Sequence, residues 1–240
     1  MKIVLKIGGS VLFPGYAPEE NRFYSWANVI CTLVRGGHKV FVVTGGGSIA
    51  REYINTLRKL GGSSFEGDLL GIQVARLNAF LLLCACKNSC DVKIYPQVIM
   101  SVDDVVKFYE IYDLFFAGGF FPGQSTTGVA AEIGEAIKAD VILFATNVDG
   151  VYTADPHKKS DAKRISRISV DELISIVKSY RAEAGTYQLI DLSALKIIQR
   201  AKILAIVYNG NVPKETLKIV GLLEKKNLEE LTKYGSIITP

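Results

Sequence analysis

Short, near-continuous apolar runs alternate along this chain with stretches whose apolar residues recur at helical spacing. Lys2 to Ile7, Lys39 to Val43, Val92 to Tyr95, Leu114 to Ala117, Val141 to Ala145 and Leu204 to Tyr208 read as strands buried on both faces. Between the first two, Phe23, Trp26, Ala27, Ile30, Leu33 and Val34 mark one face of a helix, and Gly36-Gly37 stops it. Asp68 would open a further helix over Leu69 to Cys86. Ser101 with Asp104, and Ser169 with Glu172, have capping-box spacing at helix starts. The alternation predicts an α/β fold, a three-layer αβα sandwich around a mainly parallel central sheet. The polar stretch Thr153 to Ser169 is either an excursion between two lobes or a plain surface loop.

Composition narrows this picture without changing it. With 240 residues, 49% hydrophobic and 22% charged, the chain can bury a large core as one domain or two small lobes. The longest apolar stretches, such as Ala79 to Ala85, fall short of the roughly 20 residues of a spanning helix, so no membrane segment is expected. The N-terminus runs straight into a strand and lacks signal-peptide features, which places the protein in the cytoplasm. A net charge of +4 with dispersed basic residues does not argue for nucleic acid. Cys31, Cys84, Cys86 and Cys90 form neither a CxxC pair nor a Cys/His cluster, and are expected as buried reduced thiols. No metal-ligand cluster is expected, and His38 and His157 leave few candidates for histidine chemistry.

Three glycine-rich segments each follow an expected strand: Gly8-Gly9-Ser10, Gly45-Gly46-Gly47-Ser48, and Gly118-Gly119 running on to Thr126. In an open parallel sheet ligands sit beyond the carboxyl ends of the strands, where these turns would lie. Glycine lets backbone N–H groups approach phosphate oxygens, and the helices that follow add the favourable ends of their dipoles. Neither GxxxxGK[ST] nor a GxGxxG opening a helix is present, so a P-loop and a Rossmann dinucleotide site are disfavoured. Lys6 instead lies within the first strand. If Ile3, Leu5 and Ile7 share one face, Lys2, Val4 and Lys6 share the other, and Lys6 approaches the ligand edge. The alternative for Lys6 is a solvated charge.

Lys6-Ile7-Gly8-Gly9-Ser10, Thr44 to Ser48, and Ala145 to Tyr152 with Asp155-Pro156 resemble the amino-acid-kinase superfamily. Gly118 to Thr126 and Gly185 to Asp191 resemble its archaeal UMP kinase branch. The resemblance implies one amino-acid-kinase domain over 1–240, with an N-terminal lobe of about 1–140 for the phosphate acceptor and a C-terminal lobe of about 141–240 for ATP. It implies an ATP:UMP phosphotransferase of pyrimidine biosynthesis, with Mg²⁺ entering on ATP, assembled as a homo-oligomer, commonly a hexamer built from dimers. The helix bearing Phe23 and Trp26 would supply either a dimer face or core.

Residue by residue, Lys6 would stabilise the transferring charge. Gly8, Gly9, Ser10 and Gly47 would hold ATP phosphates, with Gly46 on the acceptor phosphate. Arg51 would bind phosphate oxygens or stand as a solvated helix charge. Its presence where isopentenyl phosphate kinases place a histidine disfavours that substrate. Asp68 would accept from the UMP ribose, and Phe120, Phe121, Pro122, Gly123, Gln124, Ser125 and Thr126 would wrap the pyrimidine. Thr146, Tyr152 and Asp155 would meet adenosine. Asp191 would orient Lys6 or a Mg²⁺ hydration shell, or cap a helix. Gly128 stands where several members carry an Asp after a Thr-Thr pair, as small residues do in the archaeal branch. An acyl-phosphate-forming relative, or a non-catalytic nucleotide- or oxoanion-binding protein on the same fold, are the competing readings.

Overall fold

The computed structural model describes residues 1–15, 17–156, 159–180 and 189–240, without the side chains of Ser179 and Tyr180. In chain order its elements are β1 (Lys2–Ile7), α1 (Gly9–Leu12), α2 (Glu20–Arg35), β2 (Lys39–Thr44), α3 (Gly47–Lys59), α4 (Ser64–Ser89), β3 (Ile94–Ile99), α5 (Val102–Phe108), β4 (Leu114–Ala117), α6 (Thr126–Ile137), β5 (Val141–Thr146), β6 (Val151–Tyr152), β7 (Arg164–Ile165), β8 (Arg167–Ser169), α7 (Val170–Tyr180), α8 (Leu192–Ala201), β9 (Leu204–Asn209), α9 (Glu215–Glu224), α10 (Leu228–Leu231) and β10 (Gly235–Thr239). The main sheet runs β3-β4-β2-β1-β5-β9-β10-β8, and β6 pairs with β7 apart from it. Neighbours are parallel except at β9 and β10.

Alternation along β1 sorts the two cores. Ile3, Leu5 and Ile7 join a cluster with α2, the second half of α4 and α9, whereas Val4 joins α5, α6, α7 and α8 on the opposite face. Phe23 and Trp26 are buried within the first cluster, so that aromatic stripe is core and not an outward face. The strands finish level: Ile7 stands opposite Thr44 and Ala145, Val43 opposite Ala117, and Thr146 opposite Asn209. The glycine turns therefore emerge along one edge. There the first two cross so closely that a Cβ on Gly9 would lie 2.0 Å from the Gly47 nitrogen, and Gly47 itself adopts φ +69°.

Several expectations need correction. The third strand is Ile94–Ile99 rather than Val92 to Tyr95. It is an edge strand with Pro96 and two exposed residues, so an unbroken apolar run does not mark it. The polar stretch after Thr153 is no simple loop, since β7 pairs back with β6 and β8 with β10; His157 lies outside the described residues. Ser169 and Glu172 do form a reciprocal cap, and Ser101 accepts the Asp104 N–H.

Helix α4 departs most. It opens at Ser64, capped reciprocally by Ser63 and Glu66, so Asp68 sits inside it rather than before it. At 26 residues it is long and apolar enough, by length and composition, to cross a membrane. Counting unbroken apolar residues hid this, because Arg76 and Asn78 interrupt the run. Here Ala75, Ala79, Leu82, Leu83 and Cys86 pack into the sheet and α2 as core. At its far end, the expectation of four reduced thiols fails: Cys90, the C-cap, is disulfide-bonded to Cys31 of α2. The two share no local motif, only a Cα separation of 5.8 Å that folding creates. Cys84 and Cys86 remain free, and burial pushes the Cys86 thiol up to about 12.

Linking positions 59 apart restricts the unfolded chain by about 4 kcal/mol on the chain-entropy account. Denaturant unfolding with and without reductant should show a stability loss of about 2 to 4 kcal/mol on reduction, reproduced by Cys31→Ser. Equal midpoints would show that the link is not formed in solution.

Candidate active site

Strand ends and turns hold one another through the backbone. The Gly8 N–H donates to Ala145 O at 2.9 Å and the Gly45 N–H to Ile7 O at 3.1 Å. Helix α3 begins at Gly47 with Gly46 as N-cap, no capping side chain and no acid in its first turn. Its leading N–H groups are thus left to an anion. Ser48, the second residue of α3, donates to Gly15 O at 2.6 Å. Arg51 projects from α3, exposed. Ser10 lies in α1 directly after the first turn.

Lys6 faces the α6 side, and a Cβ on Gly8 would stand 3.9 Å from its Nζ. Burial brings its pKa down from 10.5 to about 8. Among the described residues no carboxylate lies within 4.0 Å of it. A cation held in low dielectric without an ion-pair partner is poised for a charged ligand.

A cavity of about 180 Å³ opens beside the second turn, between Gly46, Gly47, Asp68, Phe121, Gln124 and Thr126. Its walls are braced by α4. Asn78 donates to Gly45 O at 2.8 Å, Thr44 to Ala75 O at 2.8 Å, and Arg76 forks onto the Gly119 and Phe120 carbonyls at 2.9 and 3.2 Å. Asp68 accepts the Gly123 N–H at 2.7 Å, holding the loop over the cavity. The third glycine turn is pressed onto this helix, for a Cβ on Gly118 would lie 2.5 Å from the Arg76 nitrogen.

The loop 120–126 is divided in its roles. The Phe120 ring is 4% exposed and belongs to the core, so this residue reaches the site only through its backbone, whereas Phe121 is 57% exposed. Gly123 and Ser125 turn to a second cleft, with Asp191, Ser193 and Lys196. Asp191 caps α8 by accepting the Ala194 N–H at 2.9 Å, and also accepts from Ser125, Thr127 and Ser193. Burial alone would raise its pKa, but these hydrogen bonds outweigh it and bring it to about 2. It does not contact Lys6.

Across the sheet, Thr146 shapes the turn after β5, donating to Val148 O at 2.8 Å. Tyr152 donates to Asp149 at 2.5 Å and borders an apolar crevice with Leu173, Val177, Leu189 and Ile190. Asp155 follows in the same excursion, its backbone O accepting the Lys159 N–H at 2.9 Å. Gly185 to Gln188 lie outside the described residues. Sequence reasoning missed Arg76, Asn78 and Thr127. The first two had a signal, polar residues amid an otherwise apolar helical run; the third stands in the Thr-Thr pair before Gly128, where the missing acid rather than the hydroxyl draws notice.

Residues 1–209 match the amino acid kinase family. Uridylate kinase of Sulfurisphaera tokodaii is 42% identical, with all of both chains covered. Among solved structures, uridylate kinase from Archaeoglobus fulgidus matches with a TM-score of 0.80 and 37% identity over the whole of both chains. UMP kinase from Bacillus anthracis, 20% identical over 99% of this chain and 95% of its own, shares the fold with a TM-score of 0.77. With its first 209 residues matched by the family and a relative 42% identical over the whole length, this chain belongs to the amino acid kinase family.

Proposed function

We propose that this protein transfers the γ-phosphoryl group of ATP to UMP, giving UDP and ADP in the cytoplasm for pyrimidine nucleotide synthesis. The observation that carries this reading is the cavity where the uncapped start of α3, Asp68 and the loop from Phe121 to Thr126 face one another. Its lining suits a nucleoside monophosphate whose phosphate meets α3 and whose ribose meets Asp68. Full-length similarity to uridylate kinases supports the choice of UMP.

In this reading the N-terminal lobe, about 1–140, holds the acceptor and the C-terminal lobe, about 141–240, holds ATP. Gly46 supports the UMP phosphate. Gly8, Gly9, Ser10, Gly47 and Arg51 support the ATP phosphates, while Thr146, Tyr152 and Asp155 hold adenosine. A UMP phosphate oxygen bonds to the γ-phosphorus as the bond to the β,γ-bridging oxygen breaks, and ADP leaves with that electron pair. The Lys6 ammonium offsets the charge spread over the transferring group. Asp191 is occupied by its own donors, and no three ligating side chains converge among the described residues. Mg²⁺ would therefore be held by ATP phosphates and water, neutralising charge there.

A homo-oligomer, a hexamer built from dimers, completes the proposal. Its support is the exposed apolar row of Leu69, Leu77, Phe80 and Leu81 along α4, which a second copy would cover. Leu77→Glu with Phe80→Glu should then sediment as a smaller species than the parent protein; a parent that sediments as a monomer removes the assembly.

A coupled assay of ADP release with ATP and Mg²⁺ should show turnover of UMP above CMP, dUMP, carbamate and acetylglutamate. Nucleotide binding without turnover would favour a storage or sensor protein. Lys6→Ala should lower kcat by at least about 100-fold while changing the KM for UMP little. Because the lysine must be charged to act, kcat/KM should fall as pH rises through about 8. Lys6→Arg, slower but permanently charged, should lose that alkaline limb; its persistence would assign the limb to another group.

A further inference from the structure

We infer that Thr127, together with Ser125, is a positioning residue that latches the acceptor loop to the start of α8 through Asp191. This rests on the phosphoryl-transfer reading and extends it to what holds donor and acceptor in register. Thr127 is buried, and its hydroxyl donates to Asp191 Oδ2 at 2.6 Å. Ser125 bonds the same oxygen and lies 2.6 Å from the Thr127 hydroxyl. Ser125 is also the N-cap of α6, accepting the Gly128 N–H at 3.0 Å. The other carboxylate oxygen, Oδ1, caps α8. One anion thus joins the starts of two helices whose dipoles both favour it, through charge-assisted hydrogen bonds.

The position of this knot gives it leverage. Gln124 and Thr126, on either side of Ser125, line the acceptor cavity, while Leu189 and Ile190, just before Asp191, line the crevice at Tyr152. Moving Asp191 away from Thr127 would shift one wall of each site relative to the other without removing a contact to either nucleotide. Gly128 contributes no side chain, and a Cβ there would meet Gln124 Cγ at 3.3 Å. The hydroxyls, not a second acid, do the holding.

Thr127→Val keeps the shape and removes the hydroxyl. It should lower kcat by about tenfold with both KM values within about threefold of the parent, since misplacement is felt in the transition state. Thr127→Ser should restore most of the loss. In the nucleotide-free protein, amide exchange at Gly128 and Ala194 should quicken in the valine variant. Unchanged kcat, or a loss carried entirely by KM, overturns the latch. If the parent protein does not turn over UMP, the functional reading fails separately. The exchange then decides: quickened exchange upholds the latch and unchanged protection overturns it. Should the valine variant not fold, Thr127→Ala is read by the same two measures.

Discussion

Two main chains passing within van der Waals contact at Gly9 and Gly47 are the constraint on which the rest of the site depends. That approach is possible only without Cβ atoms, and it brings the turn after β1 against the start of α3. The uncapped N–H groups of α3 thereby come beside the turn whose first glycine, Gly8, neighbours the Lys6 ammonium. Level strand ends put the turns on one edge, but only the crossing makes them a single site. Helix α4 then serves as the brace, binding the second turn through Asn78, the third through Arg76, and the loop through Asp68.

The parts of this arrangement that follow local rules were legible in the sequence. Strands buried on both faces announce themselves as apolar runs, which found β1, β2, β4, β5 and β9 nearly to the residue. Alternation in β1 put Lys6 on the face opposite Ile3, Leu5 and Ile7, where it lies. Edge strands and short antiparallel additions such as β8 and β10 have no such signature. What stayed hidden depends on contacts between distant segments: the Cys31–Cys90 link, Arg76 reaching two carbonyls more than 40 positions away, and the Phe120 ring turned inward while Phe121 faces out. Residue type names a capacity, and only the fold decides which neighbour uses it.

Electrostatics divides the site in two. Lys6 has no acid against it among the described residues, and its proton is loosened by burial. Asp191 is half-buried, and hydroxyl and amide donors hold it firmly ionised. Among the described residues the cation has no ion-pair partner, whereas the anion is held by four donors. Phosphoryl transfer wants this asymmetry, since a lysine already paired with a carboxylate would have less attraction to spend on the transition state.

Gly128 shows what this asymmetry means for descent. An acid introduced there would bring a second negative charge to a carboxylate whose donors are already committed, and would crowd Gln124. The hydroxyl-held arrangement and an acid at 128 are therefore alternative solutions separated by a valley. An acid at 128 fits beside Gln124 and Ser125 only if its neighbours change with it, so this stretch of the chain acts as a unit.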